Sequence, residues 1–153
     1  MALHGRVTLN RAGLWYGTGV GGFWGWLSGG GIGAVFGIVV WYMEPRAGAL
    51  PFLAGIGQGM VWGAISGAVT GAVGGAVASC RLGLVAGIVA GLVAALVSAS
   101  NSASPSWYGA LWVAALVGIP AAVGGYSGAR IGVYLADEHK ATNFGLDTKD
   151  SNS

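Results

Sequence analysis

Glycine recurs at every fourth residue through two long uncharged stretches, at Gly17, Gly21, Gly25, Gly29, Gly33 and Gly37 and again at Gly55, Gly59, Gly63, Gly67, Gly71 and Gly75. Residues four apart share one side of an α-helix, so each row is a strip without side chains. In water such a helix is weak, because glycine is about 1 kcal/mol worse than alanine in an exposed helix. In hydrocarbon the backbone must remain hydrogen-bonded, which holds the helix together, and a bare strip lets a neighbouring backbone approach closely. The rows therefore call for a lipid surrounding and a close neighbour. A third row starts at Gly83, Gly87 and Gly91, and a fourth closes the apolar sequence at Gly124, Gly128 and Gly132.

Composition points the same way. Apolar residues make up 54% of the 153 and charged residues 8%, against roughly 25% charged in soluble domains. The 31 glycines follow no Gly-X-Y period and come with only four prolines, which excludes collagen and linker sequence. Breaks fall at Glu44, Pro45, Arg46 and Pro51, at Arg81, and along the polar run Ser98 to Ser106. The reading is an all-α membrane protein of four transmembrane helices packed through glycine-zipper rows, with spans near 14–43, 52–79, 82–99 and 107–135. Each is close to or above the roughly 20 residues that cross a bilayer core. Residues 1–13 form a cytoplasmic N-terminal segment, and residues 136–153 a polar tail expected to be disordered. The turn before the third span is placed at Arg81, with Gly74-Gly75 as the alternative.

A spacing of four overshoots the helical repeat by about 40° per step. GxxxG pairs cross at about −40° and diverge after a few turns, so each long row is expected to contact one neighbour with its N-terminal half and another with its C-terminal half. In the second span Ala64, Ala68, Ala72 and Ala76 flank the glycines, and Val61, Ile65, Val69, Val73 and Val77 form a β-branched column suited to lipid or to the flank of a groove. The remaining column, Gln58, Trp62, Ser66 and Thr70, carries groups able to bond a partner helix or their own backbone. Together with Arg130, which has apolar helix on both sides, Gln58, Ser66 and Thr70 form a candidate polar path.

Orientation follows from the excess of Lys and Arg on cytoplasmic segments. With both termini inside, Arg6, Arg11, Arg81, Arg130, Lys140 and Lys149 face the cytoplasm and only Arg46 faces out. Trp15, Tyr16, Trp41, Tyr42, Trp107, Tyr108 and Tyr134 fall near span ends, where aromatic rings anchor at the headgroups. The expected location is a bacterial-type cell membrane, with an organelle membrane as the alternative.

Chemistry is sparse. His4, His139, Glu44 and Asp137 lie in tails or loops with no partner at catalytic spacing, and no metal-ligand spacing occurs. No catalytic residue, metal or cofactor is therefore assigned. The single Cys80 has no internal disulfide partner. Scattered basic residues do not form a nucleic-acid face.

The four-span pattern resembles the preprotein and amino acid transporter superfamily, which includes mitochondrial inner-membrane translocase subunits and an amino-acid channel of the chloroplast outer envelope. The resemblance lies in Trp62-Gly63-Ala64-Ile65-Ser66-Gly67, Arg81, Gly87, Gly91 and Leu96-Val97-Ser98-Ala99-Ser100-Asn101. It departs at Val85, where the superfamily has an acidic residue four positions after the arginine. The resemblance implies a channel or carrier for a small solute such as an amino acid. The residues themselves favour a non-enzymatic membrane protein, either a self-associating scaffold or a small subunit of a larger membrane complex, whose partners are the bilayer and further copies or subunits.

Overall fold

The computed structural model describes residues 10–101, 107–135 and 137–138. The segment with His4 and Arg6, the run 102–106, Ala136 and the stretch with His139, Lys140 and Lys149 lie outside the described residues. So do most of the expected N-terminal segment and polar tail. Among the described residues the chain is helical without strands: α1 is Arg11–Met43, α2 Leu50–Val77, α3 Cys80–Asn101 and α4 Trp107–Ser127. A π-helical turn, Gly128–Gly132, carries α4 onward to Leu135. All four helices are long and apolar enough to cross a membrane.

Helix ends follow local chemistry. The Asn10 side chain accepts from the Gly13 N–H at 3.1 Å, a favoured N-cap arrangement that starts α1 three residues before the expected Leu14. The Asn10 N–H also donates to the Ala76 carbonyl at 3.0 Å, tying the start of α1 to the end of α2. A 3-10 turn, Pro45–Ala47, and Gly48 at φ 63° reverse the chain, and Pro51 sits in the first turn of α2, where a missing N–H costs nothing. The second reversal is at Ala78–Ser79, and Gly74-Gly75 stays helical. Ala78 adopts the left-handed conformation at φ 53°, with Ser79 N–H donating to Gly74 O (3.1 Å) and Ala78 N–H to Gly75 O (3.3 Å). These bonds close a Schellman cap without its usual glycine.

Burial is inverted relative to a soluble bundle. Every buried residue of α1 is glycine. Among the described residues the buried apolar side chains are Ala76, Ala121, Ala129 and Pro120, while Trp15, Phe23, Trp62, Val69 and Leu96 are all more than half exposed. Water would penalise that surface heavily. A hydrocarbon surrounding would remove the penalty and would leave close packing as the stabilising term.

α1 and α2 run antiparallel, glycine against glycine. A Cβ added to Gly25 would meet the Gly63 carbonyl oxygen, one on Gly29 that of Gly59, and one on Gly33 that of Gly55. At the ends Gly17 abuts Gly71 and Gly37 abuts Phe52. One neighbour thus lies along the whole row, which corrects the expectation of divergence after a few turns. Divergence would follow for straight helices. A contact period of four residues exceeds 3.6, so the seam drifts in the right-handed sense, and two helices that coil with it stay in contact.

α3 and α4 form a second antiparallel pair. Added Cβ atoms on Gly87 and Gly91 would lie 2.5 Å from Ala121 C and from Gly118 Cα, and Gly83 faces the Gly125 carbonyl. The α1–α2 register is open to a direct check. A Cβ on Gly22 would lie 3.4 Å from the Ala68 Cβ, whereas Gly31 meets nothing within 4 Å. Linked cysteines have Cβ atoms about 3.5–4.5 Å apart. With Cys80 replaced by serine, Gly22→Cys with Ala68→Cys should therefore close a disulfide under mild oxidation, measured as loss of maleimide-reactive thiols. Gly31→Cys with Ala68→Cys should keep both thiols free; equal oxidation of the two pairs would contradict the register.

Candidate functional site

Three glycine rows converge at one end of the molecule. A Cβ on Gly128 would lie 2.6 Å from Gly71 Cα and 2.8 Å from Gly17 O, and one on Gly132 would lie 2.7 Å from Gly17 N. Gly124 likewise meets Gly67 and, at 2.7 Å, Gly21 O. α4 thus lies in the crease where α1 and α2 meet. Two glycine doublets make this possible by serving two neighbours each. Gly75 faces α1 while Gly74 faces Gly125 at its carbonyl (2.5 Å), and Gly124 faces α1 and α2 while Gly125 faces Gly83.

The hydroxyls at this junction are committed to backbone. Thr70 is buried, and its Oγ1 donates across to the Ala121 carbonyl at 2.5 Å, with the Ser66 carbonyl at 2.9 Å as a second acceptor within α2. Ser127 Oγ, also buried, lies 2.8 Å from Val123 O and 3.2 Å from Gly124 O. Ser66 Oγ makes a long contact of 3.4 Å with Gly63 O. Such bonds satisfy the side chains locally and, through Thr70, pin α2 to α4 beside the buried Pro120.

Gln58 is exposed on a cleft of about 300 Å³ at the far end of α2, lined also by Phe36, Ser98 and Trp112. Phe36 and Trp112 meet edge to face with centroids 5.1 Å apart. Arg130 lies elsewhere, in a groove of about 770 Å³ along α4, floored by Val123, Tyr126 and Tyr134 and walled by Trp24 of α1 and Leu84 of α3. Its Nη1 donates to the Tyr126 hydroxyl at 2.8 Å. The cleft and the groove share no lining residue, and Ser66 and Thr70 line neither. The structure thus does not bring Gln58, Ser66, Thr70 and Arg130 together into one passage.

Sequence reasoning passed over Gly13, Gly74, Gly118, Gly125 and Ala121. The signal for two of them was present, since Gly74-Gly75 and Gly124-Gly125 are doublets within a row. Among the described residues no group of His, Cys, Asp and Glu could hold a metal ion, and Cys80 is a half-buried free thiol. Comparison with protein families, with curated proteins and with solved structures finds no match.

Proposed function

We propose that this is a non-enzymatic multi-pass integral membrane protein, held together by glycine-mediated helix packing and acting as a self-associating scaffold or a small subunit of a membrane complex. The observation that carries the reading is the inverted burial, with glycine inside and Trp, Leu, Val and Ile outside. The glycine rows are occupied within one chain, so a protein partner would meet the large apolar side chains of the outer face. Arg11, Arg81 and Arg130 share one end of the antiparallel bundle and Arg46 lies at the other, which favours a cytoplasmic location for both termini.

Thiol labelling of single cysteines in a Cys80→Ser background tests the orientation. A membrane-impermeant maleimide should label Ala49→Cys in intact cells and Asp137→Cys only after permeabilisation; the reverse pattern would refute it. The mass of the detergent-purified particle tests association, a lone monomer counting against self-association. The exposed Gln58 on its cleft favours a second reading, a channel or carrier for a small solute. Liposomes holding the protein should show no flux of small amino acids, and a flux that Gln58→Leu reduces would favour the second reading instead.

A further inference from the structure

The Arg130 groove is the largest cavity described above, and its chemistry is divided along its length. Its floor is one face of α4, where Ala122, Val123, Tyr126, Arg130 and Tyr134 recur at spacings of one turn. From Ala122 to Tyr134 the helix rises about 18 Å at about 1.5 Å per residue, close to one leaflet of a core about 30 Å thick. The inner part, between Trp24 and Leu84, is apolar. At the outer end stand the Arg130 guanidinium and the hydroxyls of Tyr126 and Tyr134.

Among the described residues Arg130 is the only charged one in the lining, and none there is a carboxylate. Asp137 and Glu138 follow in the sequence and are not among the groove's lining residues. The Tyr126 hydroxyl takes one guanidinium hydrogen bond at 2.8 Å, and the guanidinium carbon lies 6.0 Å from the Tyr126 ring centroid, within cation–π range. These two contacts fix the group. A guanidinium has five donors in a planar fork that suits phosphate, so most of the fork is left for an anion. Depth is set by the neighbours: Gly125 lies against Gly83 and Gly132 against Gly17, which puts Arg130 level with the first turns of α1 and α3. Arg81 stands one turn before the wall residue Leu84, on the same side of α3, and carries a second positive charge at the same end of the bundle.

We infer that this groove binds a glycerophospholipid with a net negative headgroup, its phosphate on Arg130 and one acyl chain along Val123 between Trp24 and Leu84. The inference rests on the membrane reading above. Charge complementarity selects an anionic over a zwitterionic lipid, and the apolar inner groove selects a lipid over free phosphate.

Native mass spectrometry of the full chain in detergent, with phosphatidylglycerol or phosphatidylcholine of matched chains, tests it. The wild type should retain phosphatidylglycerol in preference by about fivefold, the size expected for one arginine near a charged surface. Arg130→Gln should abolish the preference, Arg130→Lys should restore part of it, and Ala122→Trp, which fills the inner groove, should weaken both lipids alike. Inorganic phosphate at millimolar concentration should not displace the lipid. An unchanged preference in Arg130→Gln, or displacement by phosphate, would overturn the lipid site while leaving the membrane reading intact. A protein that stays monodisperse without detergent would overturn both.

Discussion

Gly25→Leu should yield almost no folded protein, while Gly31→Leu, farther along the same helix, should be recovered at wild-type levels. The physical difference is what the new side chain meets. A Cβ on Gly25 would contact the Gly63 carbonyl oxygen and lie 2.9 Å from Gly67 Cα, but one on Gly31 meets nothing within 4 Å. Overpacking a core costs about 1–3 kcal/mol when side chains can move aside. Here the obstacle is helix backbone, which moves only if the whole α1–α2 seam opens and its many small dispersion contacts are lost. Total stability is typically about 5–15 kcal/mol, so the leucine removes much of it. Recovery of monodisperse protein and thermal denaturation in one detergent measure the effect. Val69→Leu, at an exposed position, should behave like Gly31→Leu, and equal stability of all three would end the case for packing through the rows.

Much of the helical architecture is legible in the sequence because it rests on local signals. Four uncharged apolar runs separated by Pro, charge or a polar stretch give four helices, with ends displaced by a few residues. Asn10 is a readable cap that the apolar pattern obscures, since Arg11 and Ala12 precede the first bulky residues. The Ala78 reversal is less legible, as alanine carries no preference for the left-handed conformation its cap requires. What spacing cannot disclose is which helix lies opposite. The row on α1 meets α2 along its whole length and α4 at Gly17 and Gly21, a sharing that differs from a split into halves because the helices coil together. Thr70 is a similar case: its hydroxyl can be read as a polar group, but its bond to Ala121, 51 residues away, depends on α4 entering the α1–α2 crease. The polar column therefore looks continuous in sequence and is divided in space.

Placement of α4 in that crease leads to the second large effect, which separates the two helix pairs. In Gly128→Leu the new side chain would press on Gly71 Cα at 2.6 Å, Gly17 O at 2.8 Å and Gly71 O at 2.9 Å, all measured from its Cβ alone. The obstruction comes from backbone of two helices at once, so α4 cannot tilt away from one without entering the other. Withdrawal also breaks the Thr70 bond, leaving the Ala121 carbonyl to its own helix and costing about 1 kcal/mol more. Along the α1–α2 contacts from Gly25–Gly63 to Gly33–Gly55, on the far side of the junction, the atoms nearest each added Cβ belong to α1 and α2. Amide hydrogen exchange should accordingly rise across residues 121–132 of α4, while α1 and α2 between residues 25 and 63 stay protected and the Gly22→Cys/Ala68→Cys disulfide still forms. Loss of that disulfide together with α4 protection would mean that the three rows fold as a single unit, and unchanged exchange in α4 would mean that the crease is not where α4 is held.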